Sequence, residues 1–421
     1  MGTVQADLDA ATDRRYRYWQ TRILISTIIG YALFYFVRKN LSVAMPAMEQ
    51  ALHLSKSQLG LFLTLHGLLY GVSKFLNGFV GDRVNARWMM ASGLAVCGLL
   101  NLAFGWSSTA LSLGVLWMLN GWFQGVGFPP CARLLTHWFS PRVLPMKMSI
   151  WSSSHSLGAG LVVVLCGYLV VYGWRLCFYV PAAIALVGAL LLALFLRDTP
   201  ESMGLPPIES RDECARPPEG GFRRLVFGNR YIWLVALGNL FVYTVRYGIL
   251  DWGPTFLKQA RHIDLTRASW MVAAFEGAGI LGMLSSGWLT GRFFGGRATR
   301  VCPVYMAGCV GALVLFWALP NAGFVLSVTL LCLAGFFTYG PQTLVGIAAA
   351  NLATKRAAAS AVGLTGFFGY LSTAVSGVGV GWLVDRYGWD AGFLMFIAAA
   401  VIGTLLFMLC WPARADGYER S

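Results

Sequence analysis

Apolar runs of about 18 to 25 residues recur from one end of the chain to the other, separated by short polar intervals. A helix needs about 20 such residues to cross a hydrocarbon core roughly 30 Å thick. The runs fall at about 23–46, 58–80, 89–105, 110–134, 148–171, 176–196, 231–256, 269–290, 302–319, 323–348, 358–384 and 390–411. The pattern predicts an all-α membrane protein of about twelve spans. Arg14, Arg15, Arg17 and Arg22 precede the first run. That run is too long for a signal-peptide core and lacks a small-residue cleavage site, so it reads as span one.

The one long polar interval, about 197–230, is rich in proline and charge and divides the spans six and six. It reads as a linker between an N-terminal half, 1–196, and a C-terminal half, 231–421. Short strings recur across it at a nearly constant offset of roughly 210 residues. Tyr35-Phe-Val-Arg38 answers to Tyr243-Thr-Val-Arg246, and Gly78-x-x-x-Asp82-Arg83-x-x-x-Arg87 answers to Gly287-x-x-x-Gly291-Arg292-x-x-x-Gly296-Arg297. Gly121-Trp-Phe-Gln124 answers to Gly335-Phe-Phe-Thr338. Gly167-Tyr-Leu-Val170 with Tyr172-Gly-Trp174 answers to Gly381-Trp-Leu-Val384 with Tyr387-Gly-Trp389. Two such six-helix halves, joined by a linker and carrying the Gly-x-x-x-Asp-Arg loop after span two, resemble the major facilitator superfamily, with Asp82, Arg83 and Arg87 as its gating loop.

Composition agrees: 57% of the 421 residues are hydrophobic and 12% charged, which no water-soluble surface of this size accommodates. The net charge of +14 would suit a nucleic-acid partner, but its placement is topological. With both termini cytoplasmic, the outer loops carry only Lys56, Arg175, Lys258, Arg261, Arg267 and Arg386, and the inner loops carry most of the rest. The partner is the lipid bilayer, with no nucleic acid, and the chain reads as a monomer. None of the nine cysteines has paired or zinc-like spacing, so no disulfide, metal or cofactor is expected.

A Lys or Arg at the centre of a span costs about 2.5 to 3.5 kcal/mol even on the mild insertion scale, so each is a functional candidate. Arg38, Lys39, Lys74 and Arg246 qualify, as do the acids Asp251 and Glu276. Arg38 and Arg246 lie about 15 residues into spans one and seven, roughly 22 Å at 1.5 Å per residue, and the repeat places them face to face across a central cavity. Arg38 and Lys39 point about 100° apart on a helix, so one can face the cavity and the other a neighbouring helix. We assign Lys39 to Asp251 and Glu276 as an ion network tying the two halves. The sum over these groups is +2, which a phosphate monoester of about −1.5 to −2 would neutralise. The planar fork of arginine suits phosphate oxygens.

His66, Tyr70 and Lys74 form a polar stripe at a spacing of four on span two, and packing against a neighbour is the plainer reading for His66. His155, in Trp151-Ser-Ser-Ser-His-Ser156, titrates near neutral pH and could follow the charge of a phosphate. Tyr31, Tyr35, Tyr243, Tyr370 and Gln124 offer neutral hydrogen bonds, and Ser152 and Thr365 complete the expected lining. Gly158, Gly160, Gly377 and Gly381 read as close helix contacts.

Longer strings resemble the organophosphate:phosphate antiporters, closest to the bacterial hexose-phosphate (glucose 6-phosphate) transporters and sensors. They include Gly30-Tyr-Ala-Leu-Phe-Tyr-Phe-Val-Arg-Lys-Asn40, Tyr70-Gly-Val-Ser-Lys74, Asn85-Ala-Arg87, Phe128-Pro-Pro-Cys-Ala-Arg133, Arg197-Asp-Thr-Pro-Glu-Ser202 and Gly340-Pro-Gln342. The resemblance implies that Arg38 and Arg246 bind phosphate with help from Lys74 and His155, and that Lys39, Asp251 and Glu276 form the inter-half network. It implies exchange of a sugar phosphate for inorganic phosphate in a bacterial inner membrane. Ser152 and Ser156 depart from the Asn expected around the histidine, and Val362 and Thr365 stand where some relatives carry Asp and Lys. A receptor for external hexose phosphate acting through a partner kinase, and a glycerol 3-phosphate antiporter, are the competing readings. No nucleotide-binding loop, metal cluster or serine triad points to an enzyme.

Overall fold

The computed structural model describes residues 2–81, 83–140, 143–206, 208, 226–353 and 358–413. Among them every regular element is helical. Span one is α1 (Gly2–Phe36) followed by α2 (Asn40–Leu52), span two is α3 (Lys56–Gly81) and span three is α4 (Ala86–Trp106). Span four combines α5 (Ala110–Gln124) with α6 (Phe128–Trp138), and span five α7 (Leu144–Ser152) with α8 (Ser154–Leu169). Span six is α9 (Leu176–Phe195). In the second half come α10 (Arg230–Ala260), α11 (Leu265–Phe293), α12 (Ala298–Ala318), α13 (Phe324–Leu352), α14 (Ala358–Ala374) and α15 (Val380–Leu409). A π turn, Val375–Gly379, joins α14 to α15, which turns back at Gly388 with φ 81°, a left-handed value that suits a residue without a Cβ. Ten helical stretches are long and apolar enough to span. Dividing the longest at Gly388 and adding α5 with α6 gives the twelve expected.

Local chemistry sets several boundaries. The side chains of Asn85, Thr109, Asn229 and Asp264 accept backbone N–H bonds at the starts of α4, α5, α10 and α11. Pairs of helices then approach through glycine, since small residues let backbones meet where lipid supplies no hydrophobic drive. A Cβ on Gly121 would stand 2.5 Å from the His66 carbonyl oxygen, and one on Gly335 would stand 2.3 Å from that of Phe275. Gly121 and Gly335 are repeat counterparts, so the same contact recurs between spans two and four and between spans eight and ten. The expected close contacts hold at Gly158 (2.4 Å to Ala32 O), Gly377 (2.4 Å to Thr64 Oγ1) and Gly381 (2.3 Å to Lys56 O). Gly160 makes only ordinary van der Waals contact with Ala273.

Hydrogen bonds tie the N-terminal region, the linker and the C-terminal end to one face. Gln20 donates to Trp138 O (2.9 Å), Arg22 to Phe195 O (3.1 Å), Asn229 to Leu352 O (3.1 Å) and Arg300 to Trp411 O (3.2 Å). On the opposite face the two halves are joined. Asp385 of α15 accepts from Lys56 N (3.1 Å), Ser57 N (2.7 Å) and Ser57 Oγ (2.6 Å) at the start of α3, Gln259 donates to Glu49 (2.7 Å), and Thr266 donates to Gly167 O (2.8 Å). Toward the termini, a Cβ on Gly78, Gly363 or Gly366 would meet nothing within 4 Å. The halves therefore meet on the face away from the termini, while the backbone at Gly78, Gly363 and Gly366 faces open space toward them.

Candidate anion site

Span one is not the continuous helix expected from its hydropathy. It breaks at Val37–Lys39, where the N–H of Arg38 leaves the helical pattern for Tyr35 O (3.2 Å), a carbonyl it shares with the N–H of Lys39 (2.9 Å). Backbone left without a partner in a membrane costs several kcal/mol per group. Buried amides meet this demand: Gln124 Nε2 donates to Phe34 O (2.9 Å), and Asn101 Nδ2 (3.0 Å) and Asn120 Nδ2 (2.8 Å) donate to Val37 O. Gln124, expected to line the cavity, is thus committed to span one.

The break presents two adjacent cations to different surroundings. Lys39 Nζ lies 2.5 Å from Asp251 Oδ1 on α10, across the boundary between the halves, and 4.8 Å from the Tyr247 ring centroid. The Arg38 guanidinium lies 4.1 Å from the ring centroid of Tyr70 and 5.4 Å from that of Tyr35, and it is 6% exposed with no carboxylate within 4.0 Å among the described residues. Lys74 is similar: it donates to Tyr370 Oη (3.2 Å) and sits 3.9 Å over Phe128.

Arg246, 2% exposed, stands 4.6 Å over Tyr339, has its Nη2 3.8 Å from Glu276 Oε1, and reaches His155 Nδ1 at 3.5 Å. Tyr339 donates to the same Glu276 oxygen. This corrects the expected network: Glu276 pairs with Arg246 inside its own half, and only Asp251 meets Lys39. Arg246 and Asp251, five residues apart, point about 140° away from each other on α10, so they serve different neighbours. Tyr35 lies 5.4 Å from the Arg38 guanidinium and Tyr247 5.6 Å from that of Arg246, and His155 packs between Tyr35 (6.0 Å) and Tyr339 (6.4 Å). The chain Tyr70, Arg38, Tyr35, His155, Tyr339, Arg246 therefore crosses from one half to the other.

Around it, Tyr31 Oη is 3.4 Å from Tyr70 Oη, and Tyr370 packs against Tyr70 and Tyr243. His66 stacks on Trp117, with Nδ1 3.2 Å from the Trp117 carbonyl, which is the plainer of its two readings. Thr365 is occupied locally, its hydroxyl on Val362 O (2.8 Å) and its carbonyl accepting from Asn239 (2.8 Å), and Ser152 is half-buried apart from these contacts. These two are not brought into the cluster. In the loop after span two, Asp82 lies outside the described residues, Arg83 is exposed and Arg87 donates to Ala193 O. Behind the loop, Asp198 accepts from Ala86 N (2.9 Å) and pairs with Arg133 (3.2 Å). Sequence reasoning missed Tyr339, Tyr247, Asn101 and Asn120. A lone Asn in an apolar span was the available signal, because an unsatisfied amide in hydrocarbon is costly.

Comparison with known proteins places the chain in a family. A family model described as Major Facilitator Superfamily matches residues 27–377. The "Glycerol-3-phosphate transporter" of Bacillus subtilis (strain 168) is 37% identical, over 96% of this chain and 95% of its own. The "Probable hexose phosphate transport protein" of Chlamydia pneumoniae is 38% identical over 95% and 93%, and the "Membrane sensor protein UhpC" of Escherichia coli (strain K12) is 38% identical over 94% and 93%. A crystal structure of a bacterial homologue of the human lysosomal transporter Spinster, inward-facing and unoccupied, superposes with a TM-score of 0.82 at 15% identity, covering 96% of this chain and 98% of that one, a likeness of fold. The chain belongs to the Major Facilitator Superfamily, in its organophosphate:phosphate antiporter group.

Proposed function

We propose that this protein is a secondary transporter that exchanges a sugar phosphate, a hexose phosphate in the first place, for inorganic phosphate by alternating access. The observation that carries the reading is Arg38, buried within the bundle beside aromatic faces and no carboxylate. A cation–π contact contributes about 0.5 to 2 kcal/mol, comparable to the roughly 2.5 to 3.5 kcal/mol cost of the intramembrane charge but without neutralising it. Lys39 and Arg246 have acids; among the described residues Arg38 and Lys74 have none within 4.0 Å, leaving one positive charge on the Tyr70 ring and another against Phe128 and Tyr370. A phosphate monoester of about −1.5 to −2 supplies that countercharge. Arg246 completes the grip from the other half, with Lys74 and His155 assisting, and the tyrosines take the organic group.

Obligatory exchange follows, because a loaded site is nearly neutral and an empty one is not. The site moves no bonds, so the chain acts as a carrier and not an enzyme. Relatives named for hexose phosphate and glycerol 3-phosphate stand at 38% and 37% identity, and the Lys/Arg distribution supports termini on the cytoplasmic side of a bacterial inner membrane. The halves divide at 197–230 and rock about the anion as a monomer.

Proteoliposomes loaded with phosphate or left empty, given labelled glucose 6-phosphate, glycerol 3-phosphate or phosphate, test this. Exchange confined to loaded vesicles and lost in Arg38→Ala is expected, and the preferred organophosphate names the substrate. Saturable binding of glucose 6-phosphate without flux would replace the carrier by a receptor, the reading favoured by the 38% identity to a membrane sensor. Neither binding nor flux would overturn both.

A further inference from the structure

The break in span one requires a cause, because Gly30 to Phe36 and Asn40 to Leu52 are both helical and nothing between them is proline or glycine. Three buried amides, from spans three and four, converge on the two carbonyls at the break: Asn101 and Asn120 on Val37 O and Gln124 on Phe34 O. Phe34 O would take the N–H of Arg38 in a continuous helix, but that N–H lies on Tyr35 O instead. Asn40, the first residue of α2, closes the set by donating to Asn101 Oδ1 (2.8 Å) and Cys177 O (2.9 Å). Asn40, Asn101, Asn120 and Gln124 are all 2% exposed or less, and none touches Arg38 or Lys39 by hydrogen bond.

We propose that Asn101, Asn120 and Gln124 are positioning residues: their amide N–H groups substitute for helix hydrogen bonds, hold span one broken at Val37–Lys39, and so direct Arg38 at the anion and Lys39 at Asp251. Without them the backbone recovers its bonds most cheaply by winding Val37–Lys39 into one continuous helix. That winding rotates the two cations relative to α1 and moves α2 relative to α9. The α10 side of the site has no such break, since α10 runs unbroken past Arg246. Among the described residues, the break held by amides from neighbouring spans lies on the Arg38 side. The functional part of this inference rests on the anion-site reading above; the structural part does not.

The test uses full-length protein with Asn120→Leu, Asn101→Leu and Gln124→Met, which keep side-chain size and remove the donors. Spin labels at Ala51→Cys, exposed at the far end of α2, and Leu111→Cys, 79% exposed at the start of α5, report the break directly. Phosphate affinity is measured on the same samples, and KM and maximal exchange rate in proteoliposomes. The expected result is a shift of the label distance by several ångström with a weakening of phosphate affinity of about tenfold. It comes with a raised KM and with Lys74→Gln, which lowers affinity, leaving the label distance unchanged. Should Asn120→Leu prove too unstable, Gln124→Met, which empties the Phe34 carbonyl and leaves Asn101 and Asn120 on Val37 O, gives the same comparison. An unchanged label distance in the variants overturns the proposal, as does a shifted distance with unchanged phosphate affinity. Wild-type protein that binds no phosphate defeats the anion-site reading alone, while the distance arm still decides whether the amides hold the break.

Discussion

Asp385 offers a sharp test of how the closed face is held. Its carboxylate comes from the C-terminal half and takes two N–H groups and the Ser57 hydroxyl at the first turn of α3 in the N-terminal half. It is a helix N-cap supplied from the other half, present only while the halves touch. Replacing an Asp cap by Ala costs about 0.5 to 2 kcal/mol, typically about 1, and the exposure of this site favours the lower part of that range. About 1 kcal/mol changes an equilibrium roughly fivefold. Asp385→Ala should therefore shift the balance about fivefold toward the state open on the face away from the termini, with little loss of fold, because the cap is lost in that state anyway. Asp385→Asn keeps one acceptor oxygen and replaces the other by a donor, so it should fall between wild type and Asp385→Ala. Spin labels at Ala51→Cys and Val325→Cys, across the halves on that face, would show a longer-distance population growing in the Ala variant. Identical distributions in wild type and Asp385→Ala would refute the latch.

Arg38→Lys should lose more than tenfold in phosphate affinity, measured by equilibrium binding, since an ammonium cannot reproduce the fork and stacks less well on Tyr70. Lys39→Ala leaves Asp251 as a buried, uncompensated charge and should cost about 3 to 5 kcal/mol of stability, whereas Lys39→Ala with Asp251→Ala should recover most of it; melting in detergent compares them. Gly121→Val and Gly335→Val should both fail to accumulate as folded protein, because each Cβ would press on a backbone carbonyl, while Gly78→Ala should be neutral by size-exclusion yield.

The sequence determined a good deal by itself. Hydropathy and length give twelve spans because backbone polar groups facing lipid must be satisfied within the protein, which helices do along most of each crossing, so each is written as a continuous apolar run. The repeat was legible because both halves solve the same packing problem with the same small residues, as Gly121 and Gly335 show. The intramembrane charges were legible because their cost makes them rare.

Only the tertiary structure decided which charges meet. Glu276 could pair with Lys39 or with Arg246 as far as spacing goes, and it took Arg246 because α11 and α13 bring it to Tyr339 in the same half. The break in span one was hidden for a related reason. Val37, Arg38 and Lys39 carry no helix-breaking residue, and the groups that stabilise the break, Asn101, Asn120 and Gln124, lie more than 60 residues away in sequence. Local pattern records what a segment can do alone, whereas a carbonyl satisfied by a distant amide is a property of two segments at once.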